Sequence, residues 1–193
     1  MKKSLLVASV AALSLSASLA HAEDALGRAG AISVSGSMPV LGVAMVKPPT
    51  GDSLTMTSIG PDLSVGSLAV NYWVTSEITL GGAVQFTGNQ SGKDSSGMAI
   101  APSVGYRVAM GDATLWPKIQ PVFVSSTAKD AAGKDVTNSK FAIGLEVPYL
   151  WTRGAFFHGP AVNLALDLSS KVADADASKT TAFGVSYQVG GSF

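Results

Sequence analysis

The sequence predicts an all-β protein: an eight-stranded antiparallel transmembrane up-and-down β-barrel, preceded by a cleaved signal peptide. The last predicted strand alternates between large apolar residues and small or polar ones as far as Phe193. Charged residues make up 13% of the chain, against about 25% in typical soluble proteins. After residue 22, no stretch offers the roughly 18 uninterrupted apolar residues of a membrane-spanning helix. The predicted connections also alternate between short and long, which is typical of barrels in lipid.

Each predicted strand has one apolar parity. The strands are predicted at residues 30–40, 57–74, 78–87, 98–108, 113–125, 140–151, 156–168 and 180–193. The outward residues of the first four strands are Ile32, Val34, Met38 and Val40; Leu68, Val70, Tyr72 and Val74; Ile78, Leu80, Val84 and Phe86; and Met98, Ile100, Val104, Tyr106 and Val108. Those of the last four are Leu115, Ile119 and Phe123; Phe141, Ile143, Leu145, Val147, Tyr149 and Trp151; Val162, Leu164, Leu166 and Leu168; and Phe183, Val185, Tyr187, Val189 and Phe193. Because successive side chains point to opposite faces, each strand places one face in lipid and the other in a tight, polar interior.

The connections differ at the two ends of the predicted barrel. Tight turns are expected at 75–77, 111–112 and 152–154, and long hydrophilic connections at 41–56, 88–96, 126–139 and 169–179. Segment 38–46 is apolar where a loop is expected, so it either extends the first strand or folds over the mouth. A soluble barrel would need a charged outer face, whereas most charges here fall at turns and loops.

Aromatic residues cluster near the short-turn end. They are Tyr72, Trp73, Tyr106, Trp116, Tyr149, Trp151, Phe156, Phe157, Tyr187 and Phe193. Those that face lipid would form an interfacial girdle; the alternative is ordinary core packing. Five prolines, Pro102, Pro117, Pro121, Pro148 and Pro160, fall inside predicted strands. Proline removes a ladder donor, so we expect them to mark bulges or strand ends.

The first residues have the pattern of a secretory signal peptide. Lys2 and Lys3 precede an apolar stretch, and Ala20 and Ala22 flank a small-x-small cleavage site. The predicted domains are therefore a signal peptide at 1–22 and a barrel at 23–193. The chain has no cysteine, which excludes a lipoprotein anchor and a disulfide framework. The mature part keeps 11 of 13 basic residues and all 13 acidic ones, so its net charge is −2. It has no excess of positive charge that would bind nucleic acid.

Two segments resemble a known family. Residues 71–82, Asn-Tyr-Trp-Val-Thr-Ser-Glu-Ile-Thr-Leu-Gly-Gly, are similar to a strand-turn-strand unit of small outer-membrane barrels, and 101–106 to its descending strand. With the terminal Phe193, the resemblance covers about residues 30–193 and indicates the superfamily of OmpA-, OmpX- and OmpW-type barrels. It implies a monomer in the bacterial outer membrane, in contact with outer-membrane lipid and lipopolysaccharide. It also implies that Tyr187, Val189 and Phe193 act as an assembly signal for the barrel-assembly machinery.

The sequence offers little for chemistry. His158 is the single histidine of the mature part, and Pro160 stands where a deacylase-like motif would have serine. We expect His158 to be an interfacial residue. Asp174 and Asp176 could touch a cation, but a solvated loop is the simpler interpretation. No catalytic residue, cofactor site or metal site is predicted.

The interior-facing polar residues are more informative. The predicted polar network consists of Arg107, Lys118, Glu146, Asn163 and Asp167, and Asn71, Gln85, Gln120 and Gln188 share its face. A strand hairpin would bring Lys118 close to Glu146, and another would bring Arg107 beside Trp116. Since buried charges must be paired, these residues form either a salt-bridge plug or the lining of a narrow gated pore.

The expected role is non-enzymatic: a structural or surface-interaction barrel that acts through extracellular loops, whose ligand the sequence does not identify. The alternative is a narrow porin-like conduit for small or apolar solutes. A more remote alternative is an outer-membrane lipid-modifying enzyme, which would need a catalytic partner for His158.

The mature protein should begin at Glu23, since cleavage follows the Ala20-His21-Ala22 site. Sequencing the amino terminus of the protein extracted from membranes tests this. Recovery of Met1 in that fraction would overturn the secretion argument.

Overall fold

The computed structural model describes residues 26–59, 67–87, 95–129, 133–173 and 175–193. In these ranges all regular structure is β-strand, and none of it is a helix able to span a membrane. The predicted signal peptide, with its Ala20 and Ala22 site, lies outside the described residues, as does Asp174.

Twelve strand segments build the sheet. They are β1 (Ile32–Lys47), β2 (Leu54–Ile59), β3 (Ser67–Trp73), β4 (Ile78–Thr87), β5 (Ser95–Tyr106), β6 (Val108–Met110), β7 (Ala113–Leu115), β8 (Lys118–Lys129), β9 (Asp135–Arg153), β10 (Phe156–Val172), β11 (Ala175–Asp176) and β12 (Lys179–Ser192). Both β2 and β3 pair with β1, and both β7 and β8 pair with β9, so each couple forms one interrupted wall strand. The β5 and β6 segments likewise continue each other across Arg107.

The sheet closes into a barrel of eight antiparallel wall strands, which confirms the predicted fold class. Neighbours in the wall follow chain order, and β12 returns to pair with β1 from Ser33–Ser192 to Lys47–Lys179. At this seam Phe193 and Ile32 each donate a backbone N–H to the other's carbonyl at 2.9 Å. Closure leaves the wall without an open edge at this seam.

The two faces of the wall differ as the alternation predicts. Large apolar side chains such as Leu80, Phe123 and Val189 are exposed on the outer surface. The inner face carries small or polar residues, including the buried Ser33 and Gln188. An apolar outside and a polar inside are the pattern of a barrel surrounded by lipid.

The first long connection was predicted too long, at 41–56, while the first of the two alternatives for segment 38–46, an extension of the first strand, is correct. Segment 38–46 belongs to β1, where Leu41 to Val46 pair with β2 on one side and with β12 on the other. The turn is confined to residues 48–53. Pairing shifts register between Pro39 and Leu41, which changes the outward parity from even to odd numbers. The strand therefore continues through the bulge as a projecting hairpin.

Two other predicted loops are also mostly strand. Ladder pairs such as Ser125–Ser139 and Thr127–Thr137 extend the hairpin of β8 and β9 into the predicted loop 126–139. Strand β10 reaches Val172 and β12 begins at Lys179, so loop 169–179 is shortened as well. These extensions carry mostly polar side chains, and backbone pairing holds them together.

Only Pro117 lies at a strand end as expected, because Pro102, Pro121, Pro148 and Pro160 lie within β5, β8, β9 and β10 with no register shift beside them. Pro117 lies in the break between β7 and β8. Pro102 and Pro121 fall opposite each other in a gap between β5 and β8, bracketed by the pairs Ile100–Phe123 and Val104–Ile119. Neither proline has an N–H to donate across that gap.

Deleting Phe193 should lower the yield of folded barrel, because the seam loses both hydrogen bonds to Ile32. Phe193→Ala keeps the backbone pair and loses only the ring. We expect this variant to assemble poorly too if the ring is the assembly signal. Heat-modifiable gel mobility in cells measures the folded yield. Equal yields for the deletion and the full chain would contradict the prediction.

Candidate functional site in the barrel lumen

An aromatic layer closes the lumen near the short-turn end. Trp73, Trp116 and Phe157 are each 0% exposed. The two indoles stack with centroids 5.2 Å apart, and Phe157 meets Trp116 edge-on at 6.4 Å. Leu26 and Leu150 join this cluster, so the chain that precedes β1 also contributes to the seal.

Hydrogen bonds fix both indoles. Trp73 Nε1 donates to Ser33 Oγ at 2.7 Å, and Trp116 Nε1 donates to Thr79 Oγ1 at 3.1 Å. A Cβ on Gly105 would collide with the Trp116 indole nitrogen and with Thr79 Oγ1. The absence of a side chain at Gly105 therefore makes room for the Trp116 ring. Both indole N–H groups of the layer have hydrogen-bond acceptors.

The predicted aromatic girdle is only partly correct. Tyr72, Tyr106, Trp151, Phe156 and Tyr187 are exposed on the outer surface, as a girdle requires. Trp73, Trp116 and Phe157 instead point inward. Strand parity carried this signal, because Trp73 follows the outward Tyr72 and must face the interior.

A buried ion pair lies against the aromatic layer. Lys118 Nζ is 2.6 Å from Glu146 Oε2, and the Lys118 side chain is 2% exposed. Lys118 and Glu146 are direct partners in the ladder, so the hairpin interpretation placed them correctly. Gln188 Nε2 donates to Glu146 Oε1 at 3.2 Å, and Lys118 Nζ lies 4.5 Å from the centroid of a Trp116 ring. The ammonium is thereby compensated by a carboxylate and an aromatic face.

A second ion pair lies farther toward the long-hairpin end. Lys140 Nζ is 2.7 Å from Asp167 Oδ2, which also accepts the Thr180 backbone N–H at 2.8 Å. Asp167 was among the predicted interior residues and Lys140 was not, although Lys140 precedes the outward Phe141 and therefore has inward parity.

The remaining predicted interior residues lie at separate levels. Asn163 Nδ2 donates to Ser186 Oγ at 2.9 Å. Arg107 lies at the short-turn end, between β5 and β6, where its Nε donates to Thr114 Oγ1 at 3.4 Å. The backbone N–H of Tyr106 donates to the Pro117 carbonyl. Arg107, the next residue, therefore lies opposite Trp116 in the ladder, as expected. The structure thus places the five polar residues in several local contacts along the lumen.

His158 lies at an aromatic site on the outer surface. Its Nδ1 is 2.7 Å from the Tyr187 hydroxyl, and its ring centroid is 5.7 Å from Trp151 and 5.6 Å from Phe156. His158 thus lies among the exposed aromatic residues near the short-turn end, and its position at the lipid headgroups stays a prediction. In the described parts of the chain, no three acidic or histidine side chains come close enough to hold a metal ion.

Comparison with solved structures shows the fold of small eight-stranded outer-membrane barrels, as the resemblance implied. The Neisserial surface protein A (NspA) matches with a TM-score of 0.53 at 10% identity, over 83% of this chain and 98% of that one. The outer membrane protein OprG of Pseudomonas aeruginosa gives 0.53 at 10%, over 86% and 97%. Ail, the attachment invasion locus protein of Yersinia pestis, in complex with the heparin analogue sucrose octasulfate, gives 0.50 at 13%, over 86% and 99%. No protein-family model and no curated protein matches the sequence.

Breaking the Lys118–Glu146 pair should destabilise the barrel by about 3–5 kcal/mol, because one buried charge loses its partner. The measurement is a double-mutant cycle of Lys118→Met and Glu146→Gln, followed by urea unfolding in lipid or detergent. The double variant should regain part of the loss. Strictly additive effects would mean that the two charges do not stabilise each other.

Proposed function

We propose that this chain is a bacterial outer-membrane barrel with a closed lumen and a structural or surface-interaction role, and that it catalyses no reaction. Its fold and its apolar outer surface support the location. The signal-peptide pattern of the sequence supports export across the inner membrane. In this proposal the short-turn end faces the periplasm.

The surface role rests on the long hairpins. The β1–β2 ladder runs to the pair Val46–Leu54, the β8–β9 ladder to Lys129–Asp135, and the β1–β12 ladder to Lys47–Lys179. They present rigid strand pairs at the end that faces outward. NspA is named as a surface protein and Ail as an attachment invasion locus protein, and we extend only the general idea of a surface role to this chain.

The aromatic layer is the observation that favours a closed barrel over a conduit. Eight wall strands leave an interior that side chains can fill. Trp73, Trp116 and Phe157 fill it at one level, and the Lys118–Glu146 pair lies directly beside them. A solute crossing the lumen would have to displace a packed, hydrogen-bonded layer.

We further propose the environment that the resemblance implies: a monomer held by outer-membrane lipid and lipopolysaccharide, and inserted by the barrel-assembly machinery. The exposed Tyr187 and Val189 lie on the lipid-facing side of β12, where an assembly factor could contact them before the barrel closes at Phe193.

Planar-bilayer conductance of the refolded protein tests the proposal. The wild type should be silent. The Trp73→Ala/Trp116→Ala variant should conduct ions, since it removes two rings of the layer. Trp151→Ala is the matched control, because Trp151 is 42% exposed on the outer surface, and it should stay silent.

Heat-modifiable mobility must first show that the wild type and both variants are folded. Conductance in the wild type equal to that of the double variant would replace the closed barrel with the porin-like conduit.

A further inference from the structure

A chamber of about 190 Å³ lies in the lumen beside the Lys118–Glu146 pair. It exists because small residues line one wall: Ala69, Ala83 and Ala101 are ladder partners across three strands, and all three line the chamber. The opposite wall carries polar groups from Glu146, Asn163 and Gln188.

Two buried polar atoms on the chamber wall lack a hydrogen-bond partner in the described part of the chain. They are Ser35 Oγ and Gln188 Oε1, and each residue is 2% exposed. Buried polar atoms are rarely left unsatisfied, since each orphan costs the desolvation of the group. The Gln188 carbonyl oxygen accepts only, so its missing partner must be a hydrogen-bond donor.

We propose that this chamber is a blind binding site for a small uncharged molecule that donates hydrogen bonds, of the size of an amide or a short polyol, with water as its occupant otherwise. The volume corresponds to about six water molecules at roughly 30 Å³ each. Both residues line the chamber, and a small rotation of each side chain would bring Gln188 Oε1 and Ser35 Oγ into contact with a ligand that carries N–H or O–H groups.

The preference for an uncharged ligand follows from the chamber's own charges. Glu146 is compensated by Lys118, and Asp167 by Lys140, so each pair is neutral by itself. A charged ligand would leave its hydration shell without finding an unpaired counter-charge, which is unfavourable.

Access comes from the long-hairpin end. The layer of Trp73, Trp116 and Phe157 blocks the other end of the lumen. By ladder position, the Lys140–Asp167 pair lies on the far side of the chamber from Glu146, and Lys140 lines a second cavity of about 480 Å³ nearer the mouth. The Lys140 side chain is 35% exposed, whereas the Lys118 side chain is buried. A small molecule can therefore reach the chamber by moving past this pair.

Urea and guanidinium make a matched pair of probes, because they are nearly equal in size and differ in charge. The measurement is the chemical shift of the Gln188 side-chain amide in the full barrel in lipid nanodiscs, with each probe titrated below denaturing concentrations. We expect a saturable shift with urea and with glycerol, and only a weak, non-saturating drift with guanidinium.

Ala83→Leu should abolish the urea shift, since the added side chain fills the chamber. Val84→Leu adds bulk at the next position, on the opposite face, and should leave the shift intact. A non-saturating response to urea, an equal response in Ala83→Leu, or saturable binding of guanidinium would each overturn the proposal.

Discussion

Every backbone N–H and C=O group of a strand in hydrocarbon needs a partner on a neighbouring strand, because lipid offers none. The pairing of β12 with β1 meets this requirement by turning an open sheet into a closed wall. The reciprocal bonds between Ile32 and Phe193 place the seam at the last residue. The closure determines which face of the wall meets lipid and how narrow the interior is. The contents of the lumen depend on both.

The width of the interior determines which side chains can fill the lumen. With eight wall strands, inward side chains from opposite walls meet, so each level must either fill with matched groups or leave a small void. The three buried aromatic rings fill one level, and Lys118 with Glu146 fills the next. Where the row of alanines faces Gln188, the walls do not meet and the chamber remains. The filled levels and the chamber therefore both follow from the narrow interior of an eight-stranded wall.

The two ends of the barrel are built differently. Tight turns and inward aromatics give a compact, sealed end, which the segment carrying Leu26 reinforces. At the other end the strands continue as projecting hairpins: the β8–β9 hairpin is mostly polar, whereas β1 and β2 expose apolar residues such as Leu41, Met45 and Met56. Buried apolar packing is thereby concentrated at the sealed end.

The sequence by itself determined the fold class, most wall strands and the Lys118–Glu146 partnership, because strand parity and hairpin register are local properties of the chain. It did not determine the role of Trp73, Trp116 and Phe157. Parity shows that they point inward, but only closure of the wall brings residues from β3, the break before β8, and β10 to one level. The chamber likewise requires closure, which places Gln188 of β12 across the lumen from the alanines of β3, β4 and β5. The extended ends of β8, β9 and β10 escaped prediction for another reason, because pairing between backbones leaves no apolar pattern in the side chains. Tertiary structure decided the aromatic layer and the chamber, since both depend on which residues closure places across the lumen from one another.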